Sequence, residues 1–72
     1  MLGRGLSQVP SEDLEGLLRA LHKKRVELPL RRETLLVMGM NRLADHADVL
    51  IGLDERGLRA VLVAVLAERR AR

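Results

Sequence analysis

The chain has 72 residues, 47% of them apolar and none aromatic, and its 13 Lys and Arg against 10 Asp and Glu leave a formal charge of +3. So much aliphatic content argues against a disordered tail, and the length holds one domain at most. The absence of Phe, Tyr and Trp removes the stacking platforms on which single-strand binders and base-stacking RNA modules rely, and the absence of Cys removes disulfides and thiolate metal sites.

In chain order, the opening "MLGRGLSQVP" has an apolar run too short for a secretory signal. Its two glycines and lack of helical pattern predict a flexible N-terminal arm over residues 1–8, with a single helical bundle domain over 9–72. "VPSEDLEGLLRALHKKR" predicts an amphipathic helix capped by Ser11, with Glu12 and Asp13 in the positive first turn. Leu14, Leu17, Leu18 and Leu21 form its apolar stripe, and Lys23, Lys24 and Arg25 its basic end. Gly16 weakens this helix and leaves room for a close neighbour. Pro29 stops the helix short, and Val26, Leu28 and Leu30 read as a connector pinned to the core.

"RRETLLVMGM" predicts a short second helix that buries Leu35, Leu36 and Met38. Gly39 supplies the left-handed stop and Met40 the apolar contact folding back. Asn41 is then placed to cap a third helix, "RLADHADVLI", with Leu43, Ala47, Leu50 and Ile51 inward and a possible break near His46. Asp54 caps the last helix, which runs to about Arg69 with Leu58, Val61, Leu62, Val65 and Leu66 as its stripe. The alternation of Val61, Val63 and Val65 hints at a strand, but good helix formers flank it and a good cap precedes it. The fold expected is all-α, a compact bundle of four short helices, or five if the third divides.

The run "AVLVAVLA" at 60–67 is the longest without charge, eight residues, against about twenty for a membrane span. A cytoplasmic protein without membrane contact is expected. The last helix is nevertheless apolar almost all round, and a chain this short buries only roughly 60% of its unfolded surface. If the three smaller helices cannot cover it fully, Val63 and its neighbours are expected to meet another copy.

Catalytic chemistry finds little support. Ser7, Ser11 and Thr34 are the hydroxyls, two of them at natural helix starts. A Ser11–His46–Asp48 grouping can be drawn, but no spacing supports it, and His22 lies on a basic helix end. "DHAD" brings Asp45, His46 and Asp48 within one turn, yet a dedicated zinc site normally has four ligands with Cys and His predominating. The expectation is no enzyme activity, no catalytic or metal residues and no cofactor.

The charge layout is more informative than its sum. From Arg19 to Arg32 six bases, Arg19, Lys23, Lys24, Arg25, Arg31 and Arg32, stand against Glu27 alone. From Asn41 to Glu55 four acids, Asp45, Asp48, Asp54 and Glu55, stand against Arg42. Two opposed faces of this kind suit pairing with a copy or with a related domain, and such pairing closes into rings or extends into filaments. Nucleic-acid binding is the alternative, with Arg69, Arg70 and Arg72 adding to a phosphate clamp. "RRETLLVMGMNRLADHADVL" has the outline of a helix-turn-helix. Its would-be recognition helix, however, carries Asp45 and Asp48 and no outward Asn, Gln or paired Arg to read bases.

"DLEGLLRAL", "LLVMGMNRLADHADVLIG" and "VLVAVLAERR" together resemble the short effector-associated and death-like helical modules of bacterial defence and signalling proteins, over about residues 9 to 70. Those modules pair a leucine-rich first helix with a mid-chain glycine turn and an aliphatic last helix ending in Glu and Arg. The resemblance implies a small α-bundle that binds like modules through opposed charged faces and recruits an effector without catalysis of its own. No protease, nuclease or sensor is attached here, so the chain reads as a free-standing adaptor or as an excised domain.

Overall fold

The two long amphipathic stretches become the two long helices, and their apolar stripes face each other. In the computed structural model, which describes residues 5–71, the elements are α1 (Ser11–His22), α2 (Arg32–Val37), α3 (Asn41–Asp45) and α4 (Glu55–Arg70). Among the described residues there is no strand, and the all-α architecture is as expected. α4 buries Leu58, Val61, Leu62, Val65 and Leu66, every residue of its anticipated stripe. α1 opposes it with Leu14, Leu17 and Leu21. The chief helix pairs are α1 with α4 and α2 with α3.

Arg69 fixes the direction of the main pair. Its Nη1 donates to Ser11 Oγ (2.9 Å) and its Nη2 to the Leu6 carbonyl (2.7 Å), so the end of α4 lies beside the start of α1 and the two run antiparallel. This clasp corrects two expectations. Ser11 is the first helical residue rather than the cap; Pro10 holds the cap position and no side chain caps α1. Residues 5–8 are not a loose arm either: they form a turn that drops Leu6, fully buried, into the core. Leu6 is a large aliphatic side chain in a chain short of core, and the Arg69 bond holds its backbone in place. Residues 1–4 of the expected arm lie outside the described residues.

The helix ends follow local chemistry. At the end of α1 the Arg25 amide donates to Ala20 O (2.8 Å) and the Lys24 amide to Leu21 O (3.1 Å). This paired closure needs a left-handed residue between, and Lys24 adopts it, with φ 56°. α2 closes the same way, Met40 to Leu35 O and Gly39 to Leu36 O, with Gly39 at φ 77° as anticipated. Met40 then folds back onto α1, where a Cβ at Gly16 would stand 3.2 Å from its Cε. The side chain of Asp54 accepts the Gly57 amide (2.8 Å) and caps α4. The connector also holds as expected: Leu30 is buried, Val26 and Leu28 pack on the core, and the Leu30 carbonyl accepts the Gly52 amide (3.1 Å).

Two inward assignments fail. Leu36 is 49% exposed. A six-residue helix offers the core a single stripe; Leu35 and Met38, three apart, take it, and Leu36 lies about 100° round the helix from Leu35. The third helix is also shorter than its pattern. It stops at Asp45 with His46 as the C-cap, and Met40, not Asn41, holds its N-cap position. Asp and His are weak helix formers, and Ala47 O instead accepts the amides of both Leu50 and Ile51 in a separate turn. That turn buries Leu50 but leaves Ile51 38% exposed.

Two stability predictions follow from these bonds. Replacing Lys24 by Gly removes the left-handed penalty, less the extra entropy of a flexible unfolded glycine. Chemical denaturation is expected to show a gain of about 0.5–1 kcal/mol, and thermal melting a rise of about 3–6 °C. Arg69→Met keeps most of the side-chain volume but abolishes the clasp, with an expected loss of about 1–3 kcal/mol, whereas Arg70→Met changes stability by no more than about 0.5 kcal/mol.

Candidate interaction surface

All four of the acids and all six of the bases singled out in the sequence lie at or near the surface, but the structure gives several of them local work. Arg32 donates through Nε to the Ala44 carbonyl (3.0 Å) and through Nη2 to Asp48 Oδ1 (2.9 Å). One member of the basic face is thus joined to one member of the acidic face inside the same chain. The two faces meet along a seam between α2 and the segment after α3, rather than standing wholly apart. Asp54 is occupied in capping α4, and Glu55 pairs with Arg59 one turn along the helix (3.1 Å). What remains without an ion-pair partner among the described residues is Asp45 on the acidic side and Arg19, Lys23, Lys24, Arg25 and Arg31 on the basic side.

Arg31 sits at the junction of two surface hollows. One, about 380 Å³, is bounded by Arg25, Glu27, Arg31, Glu33 and Val37 among others; the other, about 510 Å³, by Arg31, Arg32, Glu33, Asp48 and Ile51. Val37 is 88% exposed, the most solvent-facing large apolar side chain described. It was not singled out in the sequence, although the signal was there: on a six-residue helix whose stripe is Leu35 and Met38, Val37 has to point away. Ile51 adds a second exposed apolar side chain beyond the seam.

A third hollow lies between α1 and α4. Its volume is about 440 Å³, and Leu18, Val63 and Leu66 supply its apolar lining. Arg19, Arg59 and Arg70 stand around it with His22, against the single carboxylate of Glu15. The exposed apolar side chains of α4 are otherwise methyl-sized, Ala60, Ala64 and Ala67, with Val63 half-exposed among them. The surplus apolar surface of the last helix is therefore real but concentrated at Val63.

The residues weighed for chemistry are dispersed. Ser11 receives Arg69, Asp48 receives Arg32, and His46 ends α3. Among the described residues no cluster of three or more His, Asp and Glu is placed to hold a metal ion, and no polar or charged side chain is buried. No helix among them is long and apolar enough to cross a membrane.

The Arg32 brace has a measurable signature. Arg32→Ala removes both bonds and is expected to cost about 1–2 kcal/mol. Asp48→Ala removes only an exposed ion pair, worth about 0–1 kcal/mol. A double-mutant cycle in chemical denaturation should therefore give a coupling energy below the cost of losing Arg32 alone.

Comparison with family models, with curated proteins and with solved structures yields no match for this chain.

Proposed function

We propose that the chain is a non-catalytic protein–protein interaction module that pairs with a copy of itself, or with a homologous helical domain, through the face centred on Arg31. The observation that carries this reading is Val37, an apolar side chain 88% exposed in a hollow it shares with the bases Arg25 and Arg31 and the acids Glu27 and Glu33. Burying one Val is worth roughly 1.5–3 kcal/mol, whereas an exposed ion pair contributes about 0–1 kcal/mol. The apolar contact supplies most of the affinity, and the charges set approach and orientation. Of the four acids of the acidic face, Asp45 is exposed, has no ion-pair partner among the described residues and caps no helix, so it is the one free to answer Arg31 from a second molecule. The likeness of the leucine-rich segments to effector-associated and death-like modules supports the same reading and extends it to bacterial defence or signalling.

Phosphate-backbone binding is the second reading, supported by the exposed Lys23, Lys24 and Arg25 at the end of α1. It is weaker than a sum of cations suggests, because Arg32 and Arg69 are tied into the fold.

Sedimentation across a concentration series tests the first reading. Val37→Asp is expected to weaken association by about tenfold or more, the equivalent of roughly 1.4 kcal/mol. Arg31→Glu is expected to weaken it less, with recovery when that variant is mixed with Asp45→Lys, and helical content unchanged in each. A chain that stays monomeric at millimolar concentration, and shows no charge-dependent pairing in such mixtures, overturns self-pairing. Steeply salt-dependent affinity for duplex DNA, lost on changing Lys23, Lys24 and Arg25 together, moves the assignment to the second reading.

A further inference from the structure

We infer that the hollow between α1 and α4 is a docking groove for an acidic amphipathic helix of a different protein. The inference rests on the reading of the chain as an interaction module, but it concerns another surface. Two antiparallel helices wall the groove, and each presents a stripe of helical pitch. Leu18 and His22 are one turn apart on α1; Arg59, Val63, Leu66 and Arg70 follow one another at turn spacing on α4. A third helix laid between such walls meets ridges at its own spacing, which an extended strand does not. The lining is apolar at Leu18, Val63 and Leu66, and the side chains around it carry three guanidinium groups against one carboxylate.

Charge complementarity selects the occupant. Arg19 and Arg70 have no ion-pair partner among the described residues, and Arg59 shares its charge only with Glu55. A helix with apolar anchors one turn apart and Asp or Glu on either side of them satisfies both the lining and the cations. A second copy of this chain does not. Groove-to-groove pairing would set Arg19, Arg59 and Arg70 against their own copies. The apolar stripes of α1 and α4 are already buried, and α2 and α3, at 6 and 5 residues, are too short to fill the groove. Nucleic acid is disfavoured because a phosphate backbone gains nothing from Val63 and Leu66, and bases have no aromatic face here on which to stack.

The experiment uses the full chain and a set of labelled helical peptides about as long as the 16 residues of α4. Each carries Leu or Ile anchors at i, i+4 and i+7, flanked by Glu in one series and by Lys in the other. Fluorescence anisotropy is expected to show the Glu series binding about tenfold or more tighter than the Lys series, with the preference shrinking as salt is raised. Val63→Glu and Arg70→Glu should each lower that affinity about tenfold with helical content preserved, since both lie on the exposed side of α4. Amide shifts in the bound protein should cluster at Leu18, Val63 and Leu66. Several outcomes overturn the inference: no binding by any Glu-flanked peptide at millimolar concentration, equal binding of the two series, indifference to Val63→Glu, or self-association that Val63→Glu abolishes. Duplex DNA bound at the groove, sensitive to Arg70→Glu but not to Val63→Glu, overturns it as well. Sedimentation of the Val37→Asp variant reads the Arg31 face separately: loss of pairing there with intact peptide binding, or the converse, tells which of the two proposals fails.

Discussion

The structure depends on covering the aliphatic stripe of α4 in a chain with no aromatic side chain and no cross-link. Leu58, Leu62 and their neighbours need apolar partners on all sides, and α1 offers one antiparallel stripe of leucines. The remaining cover includes segments that are not helices: Leu6 and Val9 before α1, Leu30 in the connector, and Leu50 in the turn after α3. A short chain has too little helix to enclose its own core, so its loops are drawn inward. Each such loop then needs its backbone satisfied. That is why the Leu6 carbonyl takes a guanidinium N–H and the Leu30 carbonyl takes the Gly52 amide.

This economy determines what the charged residues do. Arginine is the residue best able to reach two acceptors at once. Two arginines are used in that way, Arg69 across the ends of α1 and α4 and Arg32 across α2 and the segment after α3. Neither bond set is deeply buried, so each contributes modestly. Together they tie down the weakest parts of the chain, the N-terminal turn and the two short helices. The cations without an ion-pair partner among the described residues include Arg19, Lys23, Lys24, Arg25, Arg31 and Arg70, and these are the ones on which the proposed pairing relies. The same +3 chain therefore divides into guanidiniums bonded within the fold and cations left facing solvent, a division that its net charge does not express.

Apolar surface divides along similar lines. α2 is too short to hide more than one stripe, which leaves Val37 outside beside Arg31. α4 is long enough to bury a full stripe against α1, but α1 stops at His22, and Leu18 and Val63 remain beside the hollow between them. The two surfaces differ in form. One is a hollow at the end of a short helix, edged by an exposed Val; the other is a groove between two long helices.

By itself the sequence determined the all-α class, the stripe of α4, the Asp54 cap, the Gly39 stop with Met40 folding back, and the close approach at Gly16. All of these are local, set by helical period and by capping or turn chemistry within a few residues, or by the space one missing side chain leaves. Only the tertiary structure decided which arginines are structural, that Leu6 belongs to the core, that Ser11 answers Arg69 from 58 positions away, and that Leu36 and Ile51 face outward. Those outcomes depend on which segments the folded chain brings together and on how many stripes each short helix can hide. Periodicity cannot supply them, because it describes one helix at a time and is silent on what lies opposite.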